Sequence, residues 1–157
     1  MKASVWVASL TSVAIGTALS VGSLGVQAQD SAAGAKVSAW SGVYSAAQNK
    51  RGEQVHSANC ASCHGRRLNG AGEPDMPPSP AIARETFLRK WAGRSVAELF
   101  EYVQTKMPPD TPGRLSPQET ADSIAHMFAT SNMPAGEKEL PTDLKGLAGI
   151  VIEVQRK

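Results

Sequence analysis

The clearest periodicity in the chain lies between Ser116 and Asn132, where Ala121, Ile124, Ala125 and Phe128 recur at the spacing of one helical face. Ser116-Pro117-Gln118-Glu119 joins a capping box to a proline in the first turn, so a helix is expected to start there and to end before Asn132 and Pro134. A second stripe, Val96, Leu99, Phe100 and Val103, follows the capping box Ser95-Val96-Ala97-Glu98 and predicts a shorter helix. It has to close by Lys106, because Pro108 and Pro109 follow. A third helical stretch begins near Tyr44 and runs towards Cys60, with Gly52, His56 and Cys60 four apart and therefore on one face.

The segments between and around these helices break the pattern. From Arg66 to Pro80 the chain is rich in Gly, Pro and Asn, and Pro74, Pro77, Pro78 and Pro80 forbid a continuous helix, so this is a loop. Near the C-terminus Ile150, Ile152 and Val154 alternate, which suits an extended strand lying over the body as well as a disordered tail. Asp30 to Ala39 is small and polar without periodicity and reads as a flexible lead-in.

Ahead of it, Met1-Lys2 is a short basic start and Val5 to Leu24 carries no charge. Val26-Gln27-Ala28 then offers small residues where a signal peptidase cuts, so a secretory signal cleaved after Ala28 is expected. An uncleaved membrane anchor is the competing reading, but the Ser, Thr and Gly content of the run makes it only weakly hydrophobic. The plan is a signal at 1–28, a lead-in at 29–40, one domain at 41–140 and a C-terminal extension at 141–157. No internal repeat is visible. A formal net charge of +2 without a block of like charge, and 5% aromatic residues, speak against a nucleic-acid partner.

The chemistry is concentrated in Cys60-Ala61-Ser62-Cys63-His64. Two thiols three positions apart match the spacing of a porphyrin's two vinyl groups, and the adjacent imidazole is placed to give a nitrogen to the iron. A redox dithiol shares the Cys-x-x-Cys spacing, and a zinc site would need a second ligand pair that these two cysteines lack. One covalently held haem c is therefore the expected cofactor, and a chain of this size would owe it a large share of its apolar contacts.

The second axial position of such an iron decides between electron transfer and ligand binding. Met76, Met107, Met127, Met133, His126 and His56 are the candidates. Met127 and His126 fall inside a helix, where a core or surface role is the ordinary one, and Met76 follows His64 too closely to wrap round the ring. Met107 lies in an irregular Pro-rich loop between two helices and is the expected ligand. A thioether stabilises ferrous iron, and a His/Met pair leaves no open position, which points to outer-sphere one-electron exchange.

From Val43 to Leu140 the chain resembles the small class I cytochromes c, especially the monohaem forms, soluble or subunits, associated with bacterial quinoprotein and related periplasmic dehydrogenases. The resemblance rests on Gly42-Val43-Tyr44-Ser45-Ala46-Ala47-Gln48, Arg51-Gly52, Cys60-Ala61-Ser62-Cys63-His64-Gly65, Phe87 with Trp91-Ala92-Gly93, Met107-Pro108, Pro112-Gly113-Arg114-Leu115-Ser116 and Asn132-Met133-Pro134-Ala135-Gly136. It implies an all-α fold of three to five helices around one covalently attached haem, and a periplasmic carrier that is not an enzyme. The donor it implies is a periplasmic dehydrogenase and the acceptor a terminal oxidase or another cytochrome. A fixed subunit of a dehydrogenase complex, and a haem enzyme or gas binder with a labile Met ligand, are the alternatives. A membrane enters only if the signal stays uncleaved.

By the same resemblance Pro80 looks like the proline whose carbonyl accepts a hydrogen bond from the axial imidazole, although a turn proline is an ordinary alternative. Trp91 looks placed to direct its indole N–H at a propionate, with core packing as the alternative. Arg84, Arg89, Lys90 and Arg94 lie nearby as candidate counter-charges or a solvated face. The family carries aromatics at the positions of His56 and His126, where the first and last helices cross beside a glycine like Gly52. Here both are histidine, and the expectation is that the imidazoles approach each other and share a hydrogen bond or a water, with two independent, partly exposed histidines as the alternative.

Overall fold

Side-chain caps set where the helices begin. The computed structural model describes residues 36–155. Ser45 Oγ accepts the Gln48 N–H at 3.0 Å and opens α1 (Ala46–Asn59). Cys60 closes it and a single turn, α2 (Ala61–His64), follows at once. After the loop, α3 (Arg84–Trp91) leads to α4 (Val96–Lys106) and α5 (Pro117–Thr130). Both α4 and α5 start from complete capping boxes, with Glu98 and Glu119 each accepting the N–H of the cap serine at 2.8 Å.

Asp143 caps a last turn, α6 (Leu144–Leu147). The only sheet among the described residues is the parallel pair β1 (Val37–Ser38) and β2 (Ile150–Val151), in the register Val37 to Ile150 and Ser38 to Val151. Four of the six described helices have eight residues or more, which is the all-α body expected, with two four-residue turns added.

The apolar core gathers round α5. Its Phe128 meets Tyr44, just ahead of α1, and Phe87 of α3, with ring centroids 6.4 Å apart for Tyr44 and Phe128 and 6.3 Å for Phe87 and Phe128. The apolar stripes of α4 and α5 turn inward, as their periodicity requires: Val96, Leu99, Phe100, Val103, Ala121, Ile124, Ala125 and Phe128 are all buried. Arg51 joins α1 to α5 and to the segment beyond, donating to Asp122 at 2.9 and 3.0 Å and to Glu139 at 2.7 and 3.0 Å.

Two boundaries differ from the sequence reading. The residues read as a lead-in are structured from Val37 onward, and Ala39 is completely buried. The C-terminal extension is packed as well, with Leu147 and Ile152 fully buried, so the body reaches beyond 41–140 at both ends. The reason is long-range pairing: Ala39 N–H donates to Val151 O, while Ile152 exchanges backbone bonds with Gly93 and Arg94 between α3 and α4. The expected signal at 1–28, its cleavage after Ala28 and the first part of the lead-in lie outside the described residues. Among the described residues no helix is long and apolar enough to cross a membrane.

Candidate haem-binding site

One cavity gathers six residues the sequence singled out for the cofactor. Cys60, Cys63, His64, Pro80, Trp91 and Met107 all line it, and the rest of its wall is largely apolar, including Ile82, Phe87, Leu99, Val103 and Leu115. Cys60 belongs to the junction of α1 and α2, Cys63 and His64 to α2, Trp91 to the end of α3, and Met107 to the C-cap of α4. Leu99 and Val103 of the α4 stripe thus serve both the core and the cavity wall.

His64 is held at several points. Its backbone N–H bonds to Cys60 O at 2.8 Å and its carbonyl accepts from Gly70 N at 2.8 Å. Its side-chain Nδ1–H donates to Pro80 O at 2.9 Å, which assigns that proton and leaves Nε2 as the free donor atom. Gly65 makes the turn after it possible: its φ is 76°, and a Cβ there would meet the Ala71 carbonyl and the Asn69 side chain.

The two cysteines are free thiols, and burial followed by the neighbouring Cys63 pushes the Cys60 thiol up to about 11, so it is protonated at neutral pH. Trp91 is buried on the cavity wall, and its indole nitrogen makes no hydrogen bond to another described residue. An indole N–H without a chain acceptor fits a ligand that brings its own oxygen. Lys90 and Tyr102 lie on the same wall, with Lys90 Nζ 5.4 Å from the Tyr102 ring centroid and 6.0 Å from that of Trp91.

Free thiols, a fixed imidazole, an apolar wall and an unpartnered indole N–H together fit a porphyrin. The family described as cytochrome c oxidase, cbb3-type, subunit III matches residues 47–127, just over half of the 157. The chain belongs to this family of c-type cytochromes. No curated protein and no solved structure matches it. The match spans α1 to most of α5, and so takes in all six cavity residues named above.

Among the candidates for the second ligand, the cytochrome brings only Met107 and Met127 to the cavity wall. Met76 is exposed in its loop, and Met133 is buried in the core away from the cavity. Of the four cationic side chains near α3, Lys90 reaches the wall, whereas Arg94 stacks over Trp91 at 4.5 Å. Tyr102 escaped sequence reasoning. It stands three residues past Leu99, outside the buried stripe, and its only signal was its position five residues before Met107.

The histidine pair departs from expectation in one respect. The rings of His56 and His126 do approach, with centroids 5.6 Å apart and planes 48° apart, within the range of ordinary aromatic packing. They share no hydrogen bond. His56 Nε2–H donates to Gly65 O at 3.0 Å, and His126 Nδ1–H donates to Asn49 Oδ1 at 2.9 Å. The tilt keeps the nitrogens directed at separate partners, so each imidazole packs like a ring and is satisfied elsewhere. Burial is the first cause lowering both pKa values; for His126 the charge of His56 adds to it.

Proposed function

We propose that this cytochrome is an exported one-electron carrier whose single haem c is held by thioether bonds to Cys60 and Cys63 and ligated by His64 and Met107. The observation that carries the reading is that a hydrogen-bonded imidazole and a loop methionine line one apolar cavity together with both thiols. When bound, the haem supplies an iron couple that gains or loses one electron. The chain does the rest: the Pro80 carbonyl makes His64 a better donor, the apolar wall excludes water, and Trp91 with Lys90 offers an N–H and a positive charge to the propionates. A closed His/Met shell favours charge transfer over bond-making.

Export, a periplasmic dehydrogenase as donor and a terminal oxidase or second cytochrome as acceptor belong to the same proposal. A fixed subunit of a larger complex is the second reading, favoured by the family's description as an oxidase subunit. Optical spectra of the purified protein and of Met107→Ala, oxidised and reduced, test the assignment. The wild type should show the weak far-red sulfur-to-iron band when ferric, and Met107→Ala should lose it. Mass spectrometry showing no added tetrapyrrole, or an unchanged band in the variant, would overturn it. Size-exclusion of the protein isolated from its host separates a free carrier from a subunit.

A further inference from the structure

We propose that His56 is a positioning residue for the axial imidazole, acting through the Gly65 carbonyl; the proposal rests on the assignment of His64 as an iron ligand. His56 is 3% exposed, and a leucine or phenylalanine would fill the same space. What the imidazole adds is its Nε2–H, 3.0 Å from Gly65 O, in the residue directly after His64. That oxygen accepts a second bond from Leu68 N at 3.0 Å, so two donors hold the turn that follows the ligand.

The turn closes a circuit back to His64. Leu68 O accepts from Ile82 N at 2.9 Å, and Ile82 lies two residues beyond Pro80, whose carbonyl orients the His64 ring. His56 therefore braces both the backbone that carries the ligand and the strand of loop that supplies its hydrogen-bond acceptor. Its own position is set by packing. Gly52, one turn earlier, lies against the Asp122 carbonyl of α5, and the His126 ring stands beside His56 while bonded to Asn49. The helix crossing is thus tied to the iron's ligand by one side-chain N–H.

The Nδ1–H bond to Pro80 O makes His64 a stronger donor and favours ferric iron. Loosening the brace should therefore raise the reduction potential and alter the ferric spectrum. The variants His56→Phe, which keeps a ring and removes the N–H, and His56→Gln, which keeps an amide N–H, separate the two roles. His126→Phe is the control that leaves the Gly65 bond intact. Holoprotein is compared by redox titration, electron paramagnetic resonance of the ferric form and amide exchange at Leu68 and Gly70.

For His56→Phe the expected result is a ferric-to-ferrous balance shifted severalfold towards ferrous at fixed poise. Broadened ferric resonances and faster exchange at Leu68 and Gly70 should accompany it. His56→Gln should return towards wild type, and His126→Phe should leave all three readouts unchanged. A His56→Phe protein that loses thermal stability alone would overturn the proposal while leaving the haem assignment standing. A wild type without covalent haem would bring down both. Should His56→Phe fail to fold, the wild type still decides: a slowly exchanging His56 Nε2 proton supports the brace, and a rapidly exchanging one overturns it.

Discussion

The backbone of Gly52 lies directly against the main-chain carbonyl of Asp122, and a Cβ at Gly52 would overlap that oxygen. This contact sets how deeply α1 sinks onto α5, because the nearest obstacle is backbone and cannot rotate away. Gly52→Ala should therefore destabilise the protein by about 1–3 kcal/mol through overpacking, despite alanine's better helix propensity. Denaturant melts of the two proteins provide the check, and an unchanged midpoint would mean that the helices part freely.

Arg51 stands beside that crossing and pairs with Asp122, whose side chain is only 4% exposed. Removing the guanidinium leaves a buried carboxylate with Gln118 as its remaining side-chain partner. Arg51→Met is expected to cost about 2 kcal/mol of unfolding free energy, below the figure for a fully buried pair because Arg51 is itself 42% exposed. Arg51→Lys should recover little, since one ammonium cannot reproduce the planar fork on two carboxylates.

Burial lowers the pKa values of both histidines of the pair from 6.5, which favours their neutral forms in the folded protein. Glu53 favours protonation of His126, whereas His56 opposes it. The unfolded chain takes up these protons at about pH 6.5, ahead of the folded one, so stability falls as pH drops below that value. The loss is complete once pH passes the lower folded values. His126→Phe should flatten this slope, and unfolding midpoints from pH 5 to 8 would show it.

Haem removal should be severe. Cys60→Ser/Cys63→Ser, which cannot form the thioether bonds, leaves an apolar cavity between α2, α3 and α4 without its contents. Far-ultraviolet circular dichroism should show reduced helix and a broad, weakly cooperative melt. A sharp wild-type-like transition in this variant would mean that the polypeptide packs adequately alone.

Ile152 is fully buried and exchanges backbone bonds with Gly93 and Arg94, so the C-terminal segment belongs to the fold. Ile152→Ala should cost about 2–5 kcal/mol. Met127→Leu, by contrast, conserves volume and should cost less than about 1.5 kcal/mol while leaving the sulfur-to-iron band in place. Loss of that band in Met127→Leu would transfer the ligand assignment to Met127.

Local chemistry determined what the sequence by itself could show. α4 and α5 were legible because each opens on a capping box, carries an apolar stripe and is followed by proline, whereas α1 showed only as a helical stretch from near Tyr44 towards Cys60; Cys60, Cys63 and His64 stood out because haem attachment is a spacing rule that can be looked for in sequence. Tertiary structure decided the rest. α3 has no side-chain cap of its own at Ala83, and Arg84 starts it at φ 60° with its N–H on Ser131 Oγ at 2.8 Å, a partner 47 positions away. β1 and β2 are two residues each and exist only because the ends of the body meet. No periodicity encodes that His56 reaches Gly65 and not His126, or that two of the four described methionines line one cavity. Such facts depend on how elements far apart in the chain are brought together, and a hydrogen bond across that distance leaves no mark on either neighbourhood.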